Sequence, residues 1–145
     1  MGLVNGVWLA LLGILGAANL IIARKPEAKE LIGKLAPYQG WIGAVSAIWG
    51  AVGIVLQILG IGLLAYAPIL WITGLVNCIL EFALGLLLGV GVLKTFIKNP
   101  AANARMDQTI TKLAPYQGLL GLIAIGVGIW MVIAGFLFTV AVATY

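Results

Sequence analysis

Four long apolar runs constrain the fold of this chain more than any other feature of the sequence. They cover residues 2–23, 38–64, 68–93 and 116–143. Each has at least the roughly 20 residues that an α-helix needs to cross about 30 Å of hydrocarbon. The runs lack the alternation of a strand, and an open sheet would leave unpaired backbone groups in lipid. We therefore predict an all-α polytopic membrane protein with four transmembrane helices.

The composition favours the bilayer as the solvent of the chain. Of its 145 residues, 63% are hydrophobic and only 8% are charged, whereas a soluble domain carries about 25% charged residues. No basic residue precedes the first apolar run, which favours a retained span over a cleaved signal peptide. We expect a single membrane domain over residues 1–145, in contact with the lipid bilayer.

A heptapeptide, KLAPYQG, occurs at residues 34–40 and again, unchanged, at residues 112–118. Residues 1–66 and 67–145 are therefore interpreted as two copies of one helical hairpin, inserted with the same orientation as a parallel repeat. The proline suits the first turn of a helix, and the tyrosine suits the aromatic belt of a membrane. We interpret the motif as an interfacial turn, and a partner or lipid-headgroup site is the alternative. The residues concerned are Pro37, Tyr38, Gln39 and Gly40, and Pro115, Tyr116, Gln117 and Gly118.

All eight basic residues lie in the connections that precede the second and the fourth apolar run. The positive-inside rule places these two connections in the cytoplasm and both termini outside, in a plasma membrane or a bacterial inner membrane. Apolar residues recur at helical spacing in both connections. We therefore expect each to form a short interfacial helix, opened by Pro26 or Pro100. Because the basic residues flank membrane runs, we do not expect nucleic-acid binding.

Glycines form stripes at steps of three and four residues within the apolar runs. Small residues on one helix face allow helix backbones to approach closely. Two interpretations stay open: packing inside one four-helix bundle, and association between copies of the chain or with a larger complex. The candidates for helix packing are Gly43, Gly50, Gly53, Gly60, Gly74, Gly85, Gly121 and Gly128.

Glu81 is the one acidic residue inside an apolar run, and it lies near the middle of that run. A charged carboxylate at this depth costs on the order of 3 kcal/mol or more. We interpret Glu81 either as a proton or cation site, or as a neutral acid that is hydrogen-bonded to Asn77 or Gln57. Its counterpart in the first hairpin is expected near Val7.

The chain has no histidine, which removes the usual general base and most transition-metal sites. We expect no enzymatic activity, no cofactor and no metal site. The first functional hypothesis is a structural or assembly unit that self-associates, or packs into a larger membrane complex, through its glycine-rich helix faces. The alternative is a proton- or cation-translocating channel or transporter subunit that uses Glu81.

Overall fold

The computed structural model describes residues 2–143, and in this range it contains helices and turns but no strand. The all-α prediction is confirmed. Residues 1, 144 and 145 of the predicted membrane domain lie outside the described range. The seven α-helices of the described range are α1 (Gly2–Gly16), α2 (Ala18–Arg24), α3 (Ala28–Leu35), α4 (Gln39–Leu59), α5 (Pro68–Phe96), α6 (Pro100–Leu113) and α7 (Gln117–Ala143).

Three helical segments of the described chain are long and apolar enough to cross a membrane, namely Ala28–Leu59, Pro68–Phe96 and Pro100–Ala141. They contain the whole of the predicted third span and most of the second and fourth; the second was predicted to reach residue 64, but its α-helix ends at Leu59 and a 3₁₀ helix follows at Ile61–Ala65. The predicted first span is not one helix, because Leu3–Gly16 and Ala18–Arg24 meet at a bend of 74°. Alone, α1 is about 22 Å long, which is less than the hydrocarbon thickness. A fourth span exists only if the bent pair counts as one. The architecture is compatible with an integral membrane protein.

The bend between α1 and α2 coincides with a break in the backbone hydrogen bonding of the helix. The Gly16 carbonyl, which a continuous helix would pair with an amide one turn later, faces the side-chain amide of Gln117 at 3.4 Å. Regular hydrogen bonding ends with the Ala17 amide on the Gly13 carbonyl (2.8 Å) and resumes with the Ile21 amide on the Ala17 carbonyl (3.0 Å). A glycine, together with a side chain that reaches into the backbone ladder, is a usual cause of a sharp kink.

The helices predicted in the two basic connections are present as α3 and α6. Helix α6 begins at Pro100, as predicted, and the Asn99 side chain caps it by accepting a hydrogen bond from the Ala101 amide at 3.0 Å. Helix α3 begins at Ala28, and Pro26 lies in the turn that precedes it, so the prediction that Pro26 opens this helix is wrong. Each connecting helix continues through a 3₁₀ turn into the next apolar helix. The heptapeptide therefore lies within one helical segment and does not separate an interfacial helix from a span. The tighter 3₁₀ turn accommodates the proline, which has no N–H to donate.

Helix α4 packs along α5 over most of its length. At the centre of this pair, a Cβ atom on Gly50 would lie 2.5 Å from the Phe82 amide nitrogen and 2.8 Å from the Cys78 carbonyl oxygen. The two backbones are therefore in direct contact. At one end, the rings of Trp41 and Phe96 meet edge to face with their centroids 6.1 Å apart.

Helix α1 packs along α7 in a matching way. A Cβ atom on Gly128 would lie 2.6 Å from the Gly6 carbonyl oxygen and 2.9 Å from the Ala10 amide nitrogen. Gly50 and Gly128 are separated by the same number of residues as the two heptapeptides. Gly6 and Ala10 correspond in the same way, by a second common shift, to Cys78 and Phe82, the two residues that Gly50 contacts. The two helix pairs therefore use corresponding backbone contacts.

A cluster of leucines joins the two helix pairs along α1 and α5. The buried residues of this central cluster are Leu9, Leu12, Leu15, Leu80, Leu84, Leu88 and Ala124. Around it, α7 contacts α5 directly, whereas the corresponding contact between α1 and α4 is much sparser. The bundle is consequently less tightly closed between α1 and α4.

Candidate functional site

Glu81 lies near the middle of α5, the helix that runs from Pro68 to Phe96. Only 1% of its surface is exposed. Within the described part of the chain, neither carboxyl oxygen has a hydrogen-bond partner. A buried carboxyl group without partners is costly in an apolar environment, and far more so when it is charged. An aliphatic side chain at this position would stabilise the fold at least as well as Glu81 does.

A cavity of about 250 Å³ adjoins this carboxyl group, at the position where α1 and α4 are loosely packed. Helix α1 contributes three lining residues, α4 contributes two, and Glu81 of α5 completes the lining. The residues in question are Val4, Asn5, Trp8, Val45, Trp49 and Glu81. Val4 and Trp49 are 72% and 58% exposed, so the cavity opens on the outer surface of the bundle. If these helices span the bilayer, the opening faces lipid.

Trp8 is held in place at the wall of this cavity by a short hydrogen-bond chain. Its indole N–H donates to the Ser46 hydroxyl at 2.8 Å, and that hydroxyl donates to the Ile42 carbonyl at 2.7 Å. Ser46 is fully buried. The indole N–H is thus satisfied by α4, and the ring itself is left as an apolar, electron-rich surface beside the cavity.

Asn77, the other polar residue predicted on α5, is 2% exposed and lies one turn before Glu81. Its side-chain oxygen also lacks a partner among the described residues. The predicted bond to Glu81 is not formed within hydrogen-bond geometry, although Asn77 is the polar side chain that acts on the Glu81 carboxyl group. Gln57 does not join these two residues. Its amide group donates to the Trp71 carbonyl at 2.8 Å, and the Trp71 indole donates to the Gln57 carbonyl at 3.0 Å. Gln57 therefore fastens α4 to the start of α5, and the structure has no hydrogen bond between Gln57 and Glu81.

The predicted packing glycines lie mostly at contacts inside the chain. In the α4–α5 pair these are Gly43, Gly50, Gly53, Gly74 and Gly85, and in the α1–α7 pair they are Gly121 and Gly128. Gly60 differs, because it lies against the carbonyl groups that end its own helix. Internal packing accounts for these glycines, and their use between copies of the chain stays a prediction.

The two copies of the heptapeptide adopt the same local structure. In each, the proline and the tyrosine lie in a 3₁₀ turn, and the glutamine begins the next helix. Tyr38 and Tyr116 are both exposed. Gly40 lies against the side chain of Val92, and Gly118 lies against that of Leu20. Both halves thus use the motif in the same way, as part of a continuous helical segment, and its role as an interfacial turn stays a prediction.

Asn5, Trp8 and Trp49 are site residues that the sequence analysis missed. One signal could have found the first of them, because the tetrapeptide GLVN at residues 2–5 recurs at residues 74–77. The shift between these two copies is the one that also relates the backbone contacts of the two helix pairs. This shift makes Leu9 the counterpart of Glu81 in the first hairpin. Leu9 lies two residues after Val7, near which the counterpart was predicted.

Comparison with protein-family models, with curated proteins and with solved structures finds no match to this chain. Among the described residues, no group of three or more His, Cys, Asp or Glu side chains is placed to hold a metal ion. The fold and the site thus define a helical chain, compatible with membrane insertion, with one isolated carboxyl group beside a lateral cavity.

Proposed function

We propose that this protein is an integral membrane protein that binds and transports cations at Glu81, in exchange for a proton. The observation that carries this proposal is the buried, unpartnered carboxyl group beside an open cavity. An isolated negative charge there costs several kcal/mol, so the group must be neutralised by a proton or by a bound cation. Exchange between these two neutral states is the elementary step of proton-coupled transport.

The proposed layout has four spans, with α1 and α2 together forming a broken first span. It consists of two copies of one hairpin, related by a pseudo-twofold axis along the membrane normal. The recurring heptapeptide and the corresponding glycine contacts support this layout. Segments 24–36 and 94–114, which carry all eight basic residues and contain α3 and α6, are cytoplasmic. Because Glu81 lies near the middle of α5, the cavity beside it lies near the membrane midplane in this layout.

The test measures proton release on cation binding in weakly buffered mild detergent. The expected result is one proton released for each cation bound by the wild type, and none released by Glu81→Gln. Glu30→Gln, which makes the same chemical change on the exposed face of α3, is the matched control and is expected to behave as the wild type. Transport is then measured as cation-driven proton flux in liposomes.

The proton signal can be assigned because few groups near Glu81 titrate. Cys78, one turn before Glu81, is the nearest other titratable side chain on α5. Helices α1, α4 and α7 have no titratable side chain among their described residues. Proton release that persists in Glu81→Gln would contradict the assignment of the site. The absence of any proton release or flux in the wild type, with every cation tested, would contradict the proposal itself.

A structural or assembly role remains the second proposal. It was predicted from glycine stripes, but most of these glycines are already occupied by backbone contacts within one chain. Self-association would therefore depend on other, lipid-facing residues. The size of the particle in mild detergent, together with a search for companion chains, tests this role.

A further inference from the structure

We infer that the cation bound beside Glu81 is a small organic cation of the quaternary ammonium type; this inference rests on the proposed function of Glu81. The chemistry of the cavity distinguishes this class from metal ions. Hard metal cations are bound by several oxygen ligands at once. The side chains that line the cavity provide one carboxyl group and one amide, with apolar and aromatic groups for the rest.

Two tryptophans make the cavity suited to a cation that has no N–H groups. An ammonium carrying alkyl groups is attracted to the face of an indole ring, and aromatic cages recognise such ligands in water-poor sites. The hydrogen bond to Ser46 fixes the Trp8 ring beside the cavity, and Trp49 lies at its exposed mouth. The alkyl groups of the cation would meet the valines of the wall. The volume of about 250 Å³ lies just below the roughly 300–1,000 Å³ of sites for drug-sized ligands, which suits a small cation or the cationic end of a larger one, since the cavity is open at the outer surface.

The corresponding positions in the other half of the chain show what packing alone requires. The shift between the two GLVN tetrapeptides relates α1 to α5, and the shift between the two heptapeptides relates α4 to α7. Together they pair four residues of the site with aliphatic ones: Glu81 with Leu9, Trp8 with Leu80, Ser46 with Ala124, and Trp49 with Val127. Asn5 is different, because its counterpart is the polar residue Asn77. All four aliphatic residues belong to the central leucine cluster or pack against it. Helix packing at these positions is therefore satisfied by aliphatic side chains, and the acid, the hydroxyl and the two indoles serve another purpose.

The test is the binding of benzyltrimethylammonium to the purified protein in maltoside detergent, measured by titration calorimetry. Trp8→Leu and Trp49→Val each introduce the side chain that the other half carries. Each is expected to weaken binding by about 3- to 30-fold, because a desolvated cation–π contact is lost. Trp8→Phe, which keeps an aromatic face, is expected to retain most of the affinity. Glu81→Gln is expected to abolish binding.

Trp130→Leu is the matched control, because Trp130 lies on α7 outside this cavity and is 48% exposed. It is expected to bind as the wild type. Thermal unfolding of every variant checks that the bundle is intact. Wild-type affinity in both Trp8→Leu and Trp49→Val, with the bundle intact, would overturn the inference.

The failure of this inference can be told apart from the failure of the proposed function. If Na⁺ or K⁺ releases the Glu81 proton and benzyltrimethylammonium does not, the exchange site stands and the organic-cation assignment is wrong. If no cation releases a proton, both are wrong. Displacement of benzyltrimethylammonium by phosphatidylcholine at equal concentration would assign the site to a lipid headgroup instead of a free cation.

Discussion

Replacing Gly50 by alanine tests whether the glycine stripes hold one chain together or join several. The added Cβ atom would lie 2.5 Å from the Phe82 amide nitrogen and 2.8 Å from the Cys78 carbonyl oxygen, whereas ordinary contacts begin at 3.4 Å. Both atoms belong to the backbone of α5 and cannot rotate away. Helices α4 and α5 must therefore separate by about 1 Å at this point, a gap that forfeits a quarter to a half of the local dispersion energy.

The expected loss of stability follows from two opposing effects. Overpacking of this kind costs about 1–3 kcal/mol, and the rigid backbone atoms place Gly50→Ala in the upper part of that range. Alanine is a better helix former than glycine by about 1 kcal/mol, which offsets part of the cost. We expect a net loss of about 1–2 kcal/mol. Gly128→Ala, which meets the corresponding contact between α7 and α1, is expected to lose a similar amount.

Gly126→Ala provides the matched control, because a Cβ atom on Gly126 would meet no other atom within 4 Å. It keeps only the gain in helix propensity, so we expect its stability to rise by up to about 1 kcal/mol. The assay is reversible unfolding by sodium dodecyl sulfate from a mild detergent, followed by circular dichroism, with particle size measured in parallel. Wild-type stability of Gly50→Ala with a smaller particle would refute internal packing and restore the self-association hypothesis.

Two further predictions use the same preparations. Gln57→Leu removes the amide that donates to the Trp71 carbonyl. We expect the free energy of unfolding in the detergent titration to fall by about 0.6 kcal/mol, the average for a hydrogen bond between membrane helices. A loss above about 2 kcal/mol would mean that Gln57 has another role. In a Cys78→Ala background, Lys29→Cys should react with an impermeant thiol reagent only from the cytoplasm. Tyr66→Cys should react only from outside; the side chain that it replaces is 89% exposed. The opposite pattern would invert the proposed orientation.

The helical elements could be predicted from sequence wherever local signals dominate. The start of α5 at Pro68 is one case, because a proline at the first helical position needs no hydrogen-bond partner. The bend between α1 and α2 could not be predicted in this way. It depends on Gln117, which reaches the Gly16 carbonyl from a distant part of the chain. Nothing in the apolar run 2–23 marks this interruption except glycine, which is frequent in all four runs.

The candidate site was only partly visible in the sequence. Glu81 stands out because an acidic residue within an apolar run is rare. Trp8 and Trp49 do not stand out, since tryptophan is common where membrane helices face the interface. What makes them part of the site is the cavity that the loose contact between α1 and α4 leaves open. That contact is a property of packing between helices and cannot be read from either run alone.

The contacts around Glu81 also indicate how exchange could proceed across the membrane. Toward the basic end of the bundle, the way from Glu81 is closed by buried leucines, among them Leu12, Leu84 and Leu88. Within each helix pair, glycines bring backbone against backbone, so we expect each pair to move as a unit. Between the pairs lie leucine side chains, which can slide past one another more readily than interlocked backbones. Under the proposed function and orientation, opening a route to the cytoplasm would require one pair to move against the other, the kind of rigid-body motion that repeat-built transporters use.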